Sequence, residues 1–155
     1  MLKKRFIGHL QSNKVKKCVN IFDTIDSIHS LKLLKKISRE CKSSKKKMEV
    51  LLEVNTSGEK QKKGFMIEDI NDMLLCFDID NVEVVGLMTI APFIKDKKTI
   101  RSCFSSLRNL KNKINKSIQP LSLKHLSMGM SNDYEIAIEE GSTQVRLGTV
   151  LFGKR

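Results

Sequence analysis

This chain of 155 residues predicts an α/β fold with a parallel sheet. Two observations lead there. Short apolar runs rich in Val, Ile and Leu alternate with segments of helical period from one end to the other, the pattern of successive βα units. A composition of 40% hydrophobic and 30% charged residues, over a length suited to one domain, supports a single buried core spanning 1–155.

The elements follow in order. Residues 5–10, "RFIGHL", form a short apolar run, followed by the polar "QSNKVKKCVN". Residues 22–28, "FDTIDSI", are a second strand candidate. In 29–42 Leu31, Leu34 and Ile37 recur at helical spacing. "MEVLLEVN", 48–55, is a strand, followed by a loop containing Gly58 and Gly64. The segment 67–77 starts with acidic residues, where the helix dipole favours them. "VEVVGLMTI", 82–90, is the next strand, closed by Ala91-Pro92. Residues 97–118 place Ile100, Phe104, Leu107, Leu110 and Ile114 on one stripe of a long helix. A strand at 123–129 precedes a short helix at 132–141, with Ser131 or Asn132 as its cap and Gly141 as its stop. The last strand lies within 142–153.

Six strands with helices in most connections fit two architectures, an open doubly wound sheet or a (β/α)8 barrel. No Gly-rich phosphate loop marks the first. The second needs eight strands and typically ~250 residues, so six strands leave a barrel incomplete.

Composition removes several function classes. No apolar run approaches the ~20 residues of a membrane-spanning helix. The basic N-terminus lacks the apolar stretch and cleavage site of a secretory signal. Cys18, Cys41, Cys76 and Cys103 are far apart, without C-x-x-C or metal-ligand spacing, and His9, His29 and His125 add no metal motif. Four reduced thiols in the cytoplasm are the expectation. The net charge of +12 raises nucleic acid as a partner. Its distribution argues against one. Only six of 29 basic residues are Arg, and no basic block is interleaved with aromatics.

Chemistry concentrates at 126–153, "LSMGMSNDYEIAIEEGSTQVRLGTVLFG". Gly129 permits close backbone approach, Ser131 follows it, and a helix starts at once. Free amides at a helix start attract anions. In barrels a phosphate commonly sits on the loops after strands seven and eight, and the last two strands here carry "GMSND" and Gly148-Thr149 in those places. Alternation puts Arg146 on a strand face opposite Val145 and Leu147. A guanidinium there needs a phosphate or carboxylate ligand, or a salt bridge to a neighbouring Asp or Glu.

"FIGHLQSNKVK", "TIDSIHSLKL", "VLLEVNTSGEKQKKGF", "VVGLMTIAP" and "LSMGMSNDYEIAIEEGSTQVRLGTVLFGKR" resemble, in order, the signatures of the pyridoxal 5′-phosphate homeostasis proteins, a family similar to the N-terminal barrel of bacterial alanine racemase. The resemblance runs from about residue 6 onward. It implies a (β/α)8 barrel of TIM type that holds pyridoxal 5′-phosphate at the C-terminal ends of its strands. The implied role is non-catalytic: buffering the cofactor or delivering it to pyridoxal-phosphate-dependent apoenzymes. Carried over by motif, Ser131, Gly148 and Thr149 bind the phosphate and Gly129 lets the loop approach it. Arg146 lies by the phosphate or the ring, and His9, Asn13 and Met88 line the mouth. The family's Schiff-base lysine sits on its first barrel strand, whereas this chain starts at what resembles the third. The first two of eight βα units, and that lysine, are therefore expected outside these 155 residues. Lys4-Arg5 stand where the family usually has tryptophan-histidine. The alternatives are a truncated or inactive remnant, or a pyridoxal-phosphate-dependent amino-acid racemase. A racemase would need an acid/base opposite the lysine, and the single tyrosine, Tyr134, sits early in a helix.

Overall fold

The computed structural model describes residues 2–153. Seven strands form one parallel sheet: β1 (Arg5–Phe6), β2 (Thr24–Ile28), β3 (Met48–Asn55), β4 (Phe65–Met66), β5 (Val82–Met88), β6 (His125–Met130) and β7 (Gln144–Arg146). Their order is β1-β2-β3-β5-β6-β7, with the two-residue β4 set beside the end of β3. Each strand of the main path pairs in parallel with its neighbour in the chain, and the sheet curls into a half-barrel. The six expected strands are these six. The incomplete (β/α)8 architecture is therefore the observed one.

Helices fill the connections: α1 (Val15–Ile21), α2 (Leu31–Ser43), α3 (Ile70–Leu75), α4 (Lys97–Ser117), α5 (Tyr134–Glu139) and α6 (Thr149–Phe152). Side-chain oxygens cap two of them. Ser30 accepts from the Leu33 amide at 3.3 Å and Asp96 accepts from the Lys98 amide at 3.0 Å. The first helix lies largely in the segment that the sequence marks only as polar. Val15, Cys18 and Val19 recur at i, i+3 and i+4 and are buried, but lysines surround them in the sequence. Within 142–153 the last strand ends at Arg146, and the chain turns at Gly148 into α6.

Two apolar clusters divide the core. The larger packs the outer face of the sheet, including Val50, Leu52, Val84 and Leu126, against Leu34, Ile37, Phe104, Leu107 and Ile114 of the helices. The smaller, Leu51, Val85 and Met88, lies on the inner face. Strand alternation separates them: along β3, Val50 and Leu52 belong to one cluster and Leu51 to the other. Cys18, Cys41, Cys76 and Cys103 are free and buried. Burial pushes all four thiols up, Cys18 to about 11 and Cys76 to about 12. No helix among the described residues is long and apolar enough to cross a membrane. No cluster of three or more metal-ligating side chains occurs among them either.

Glycine at 86 is demanded by sheet pairing. A Cβ there would stand 2.4 Å from the carbonyl oxygen and 2.7 Å from the Cβ of His125, across the β5–β6 seam.

Candidate functional site

The loops after β6 and β7 meet at the C-terminal edge of the sheet. After β6 the chain turns through 130–133: the Asp133 amide donates to the Met130 carbonyl at 3.0 Å, and the Asp133 carboxylate takes the Met130 amide at 2.6 Å. Asp133, not Ser131 or Asn132, stands at the N-cap position of α5. That turn leaves Ser131 free for another task. Its hydroxyl oxygen lies 3.3 Å from both the Gly148 and the Val150 amides and accepts from them. The first amides of α6, which no cap of its own satisfies, are thus held by a hydroxyl from the preceding loop.

Gly129 sets the approach of that loop. Its φ is +96°, and a Cβ would stand 2.6 Å from the Ala137 Cβ and 3.0 Å from the Tyr134 Cα. Only glycine lets β6 run this close under α5. Gly148 differs, since a Cβ built on it meets nothing within 4 Å. Gly148 and Thr149 are both exposed. Open space therefore lies against the two amides and the serine hydroxyl.

Arg146 projects from β7 onto the inner face. Nη1 donates to the Ser127 hydroxyl and Nη2 to the Thr89 carbonyl, each at 2.8 Å. It forms no ion pair within 4 Å among the described residues, so a salt bridge does not account for it. Three of its five N–H donors are uncommitted there. Burial pushes the guanidinium down from its ordinary value, opposed by the charges of Asp26, Asp133 and Glu53. Burial pushes the Glu53 carboxyl up, with Arg146 pulling the other way.

The other predicted residues fall in three places. His9 is exposed, stacks on His29 with ring centroids 5.1 Å apart, and lines a cavity of about 230 Å³. Ser27, Glu53, Asn55 and Lys62 border the same cavity, at the ends of β2 and β3. Burial and the neighbouring His9 both push the His29 imidazole down. Asn13 is exposed on the single 3-10 turn before α1 and is not part of that lining. Met88 is 1% exposed and packs in the inner cluster beneath the rim. The structure thus joins Gly129, Ser131, Arg146, Gly148 and Thr149 at the β6–β7 rim and sets His9 in a separate hollow.

Sequence reasoning missed the inner-face ionic pair. Arg5 grips Asp26 with two bonds of 3.0 Å, Nε to Oδ2 and Nη2 to Oδ1, and Asp26 is 1% exposed. The signal was an aspartate inside the run "TIDSI", where a buried charge needs a partner. It also missed Thr89, whose hydroxyl bonds the Val54 carbonyl at 2.7 Å and the Thr56 hydroxyl at 2.9 Å while its carbonyl holds Arg146. No described strand carries a lysine.

Comparison with known proteins gives a consistent picture. The family model described as "Alanine racemase, N-terminal domain" matches residues 3–155. A pyridoxal phosphate homeostasis protein of Aquifex aeolicus is 40% identical over 151 residues, covering 97% of this chain and 66% of that protein. The human pyridoxal phosphate homeostasis protein is 37% identical over 168 residues, covering 99% and 59%. The chain therefore spans about two thirds or less of these relatives. The structure of PipY from Synechococcus elongatus PCC7942 with PLP bound superposes with a TM-score of 0.90 at 31% identity, covering 98% of this chain and 71% of that one. An alanine racemase of Clostridium difficile, 18% identical with a TM-score of 0.81, shares the fold. The chain belongs to the family of pyridoxal phosphate homeostasis proteins, built on the alanine racemase N-terminal domain.

Proposed function

We propose that this chain binds pyridoxal 5′-phosphate through its phosphate at the β6–β7 rim and serves intracellular cofactor homeostasis without catalysing a reaction. One observation carries the reading. The Ser131 hydroxyl spans the Gly148 and Val150 amides beside open space, with Arg146 two residues upstream on β7. The fit is chemical. A phosphate takes hydrogen bonds from amides, a hydroxyl and a guanidinium, and α6 presents its amides at its positive end. Ser131 would turn its hydroxyl to the phosphate and release the Gly148 and Val150 amides to it, and Thr149 would flank it. Gly129 would fix the loop. Arg146 would supply positive charge from the inner face, His9 would border the neighbouring hollow, and Met88 would support the rim from beneath. When bound, the cofactor supplies a reactive aldehyde; the lysine that engages it in the family has no counterpart on the described strands.

The name of the relatives and the PLP of PipY support this reading. The racemase alternative is weaker. Tyr134 is the first residue of α5, where it serves the helix rather than the sheet interior. Delivery to pyridoxal-phosphate-dependent apoenzymes in the cytoplasm is part of the proposal, and the four free thiols fit a reducing compartment.

Ser131→Ala tests it. By equilibrium dialysis the variant is expected to bind pyridoxal 5′-phosphate about tenfold more weakly, the worth of one hydrogen bond to a charged group. Its melting temperature should stay within about 2 °C of the parent. Unchanged affinity would remove Ser131 from the site.

A further inference from the structure

The fold turns the cations of one helix to a common outer face. α2 buries Leu33, Leu34, Ile37 and Cys41 against the core, which turns its cations outward. Lys32, Lys35, Lys36 and Arg39, with Ser12 from the turn before α1, line a groove of about 840 Å³. Glu40 is the single acid of α2 and lines the groove with them. Asp78 and Asp80 face Arg39 and Lys42 across the adjoining hollow, without an ion pair within 4 Å. The ion pairs among the described residues use other cations: Lys3, Arg5, Lys47, Lys62, Arg101 and Arg108. Lys14, Lys16 and Lys17, at the adjacent α1, are also exposed.

Such a stripe works against the helix that carries it. Like charges three and four residues apart destabilise a helix, and here 32/35, 32/36, 35/39 and 36/39 all repel. α4, which has no acid of its own, relieves Arg101 and Arg108 by ion pairs to Glu139 of α5 and to Glu140 just after it. A row of unpaired cations along a concavity is relieved by a row of anions.

We propose that this groove binds the phosphate backbone of double-helical nucleic acid, independently of the cofactor site. From Lys32 to Arg39 the stripe runs about 10 Å along the axis, the length of about three phosphates on one strand of a duplex. No aromatic side chain lines the groove, so it offers no stacking platform for single-stranded bases. No Asn or Gln lines it and Arg39 is its one guanidinium, so phosphate contact dominates over base readout.

Fluorescence anisotropy of a labelled duplex of about 20 base pairs, titrated with the protein between about 50 and 200 mM salt, tests this. The quadruple variant K32Q/K35Q/K36Q/R39Q is expected to lower the slope of log affinity against log salt by about 3 to 4, and R39Q alone by about 1. Two duplexes of unrelated sequence should bind equally. The variant K98Q/K111Q/K113Q/K116Q on α4 removes the same charge and should leave the slope within about 1. Equal loss from the two quadruple variants would overturn the proposal in favour of diffuse charge. Absence of binding at about 100 mM salt, or dependence on sequence, would overturn it as well.

Discussion

Gly129→Ala is expected to lower stability by about 3 kcal/mol and to abolish cofactor binding with it. Two costs add. A non-glycine residue at φ +96° is strained by about 1–2 kcal/mol. The new methyl meets the Ala137 Cβ at 2.6 Å and the Tyr134 Cα at 3.0 Å, and relieving that overlap costs about 1–3 kcal/mol. Relief can come only by moving α5 away from β6. That displaces the 130–133 turn, and with it the Ser131 hydroxyl from the Gly148 and Val150 amides. Gly148→Ala is the informative companion. Its Cβ enters open space, so stability should change by less than about 1 kcal/mol, while the methyl occupies the room a phosphate needs. Urea unfolding and dialysis on both variants check the pair. Loss of affinity in Gly129→Ala together with full affinity in Gly148→Ala would place the phosphate elsewhere.

Arg5→Met is expected to cost about 3 kcal/mol, because it strands a buried carboxylate. The Asp26 side chain is 2% exposed, and both of its oxygens rest on the Arg5 guanidinium. Taking one partner from a buried pair costs more than deleting both, since the remaining charge is left without water or counter-ion. The double variant R5M/D26L replaces the pair by apolar groups of similar size and should recover most of the loss. Calorimetry should show Arg5→Met melting roughly 6–12 °C below the parent, at ~2–4 °C per kcal/mol for a chain of this size. A shift below about 2 °C would mean that Asp26 finds another partner, and Arg146, on which the Asp26 charge already acts, is a candidate.

The fold was legible because each strand is a short apolar run and most helices carry one clear stripe. Leu31, Leu34 and Ile37 on α2, and Ile100, Phe104, Leu107, Leu110 and Ile114 on α4, mark their elements without ambiguity. α1 was hidden because its apolar stripe is three residues long and embedded in lysines. The rim was legible in part. Gly129, Ser131, Arg146, Gly148 and Thr149 lie within 21 positions of one another, so local patterning reaches them. Thr89, just after β5, and Ser127 on β6 hold Arg146 from places that only the folded sheet brings beside it, 57 and 19 positions away. The same holds for the Arg5–Asp26 pair. Sequence period says which face a residue takes; it does not say which face of another strand it meets. The cap of α5 was misread for a related reason. Ser131 is a fitting N-cap by type, but Asp133 forms the tighter turn and releases the serine to α6.

The central claim is that phosphate is the handle by which this chain holds its ligand. Titrating the protein in parallel with pyridoxal 5′-phosphate and with pyridoxal tests it most directly, since the two differ only in that group. The phosphorylated form is expected to bind about tenfold to a hundredfold more tightly, as loss of one charge-assisted hydrogen bond is worth about 1.5–3 kcal/mol. Equal affinity for the two, or no binding of either, would contradict the account.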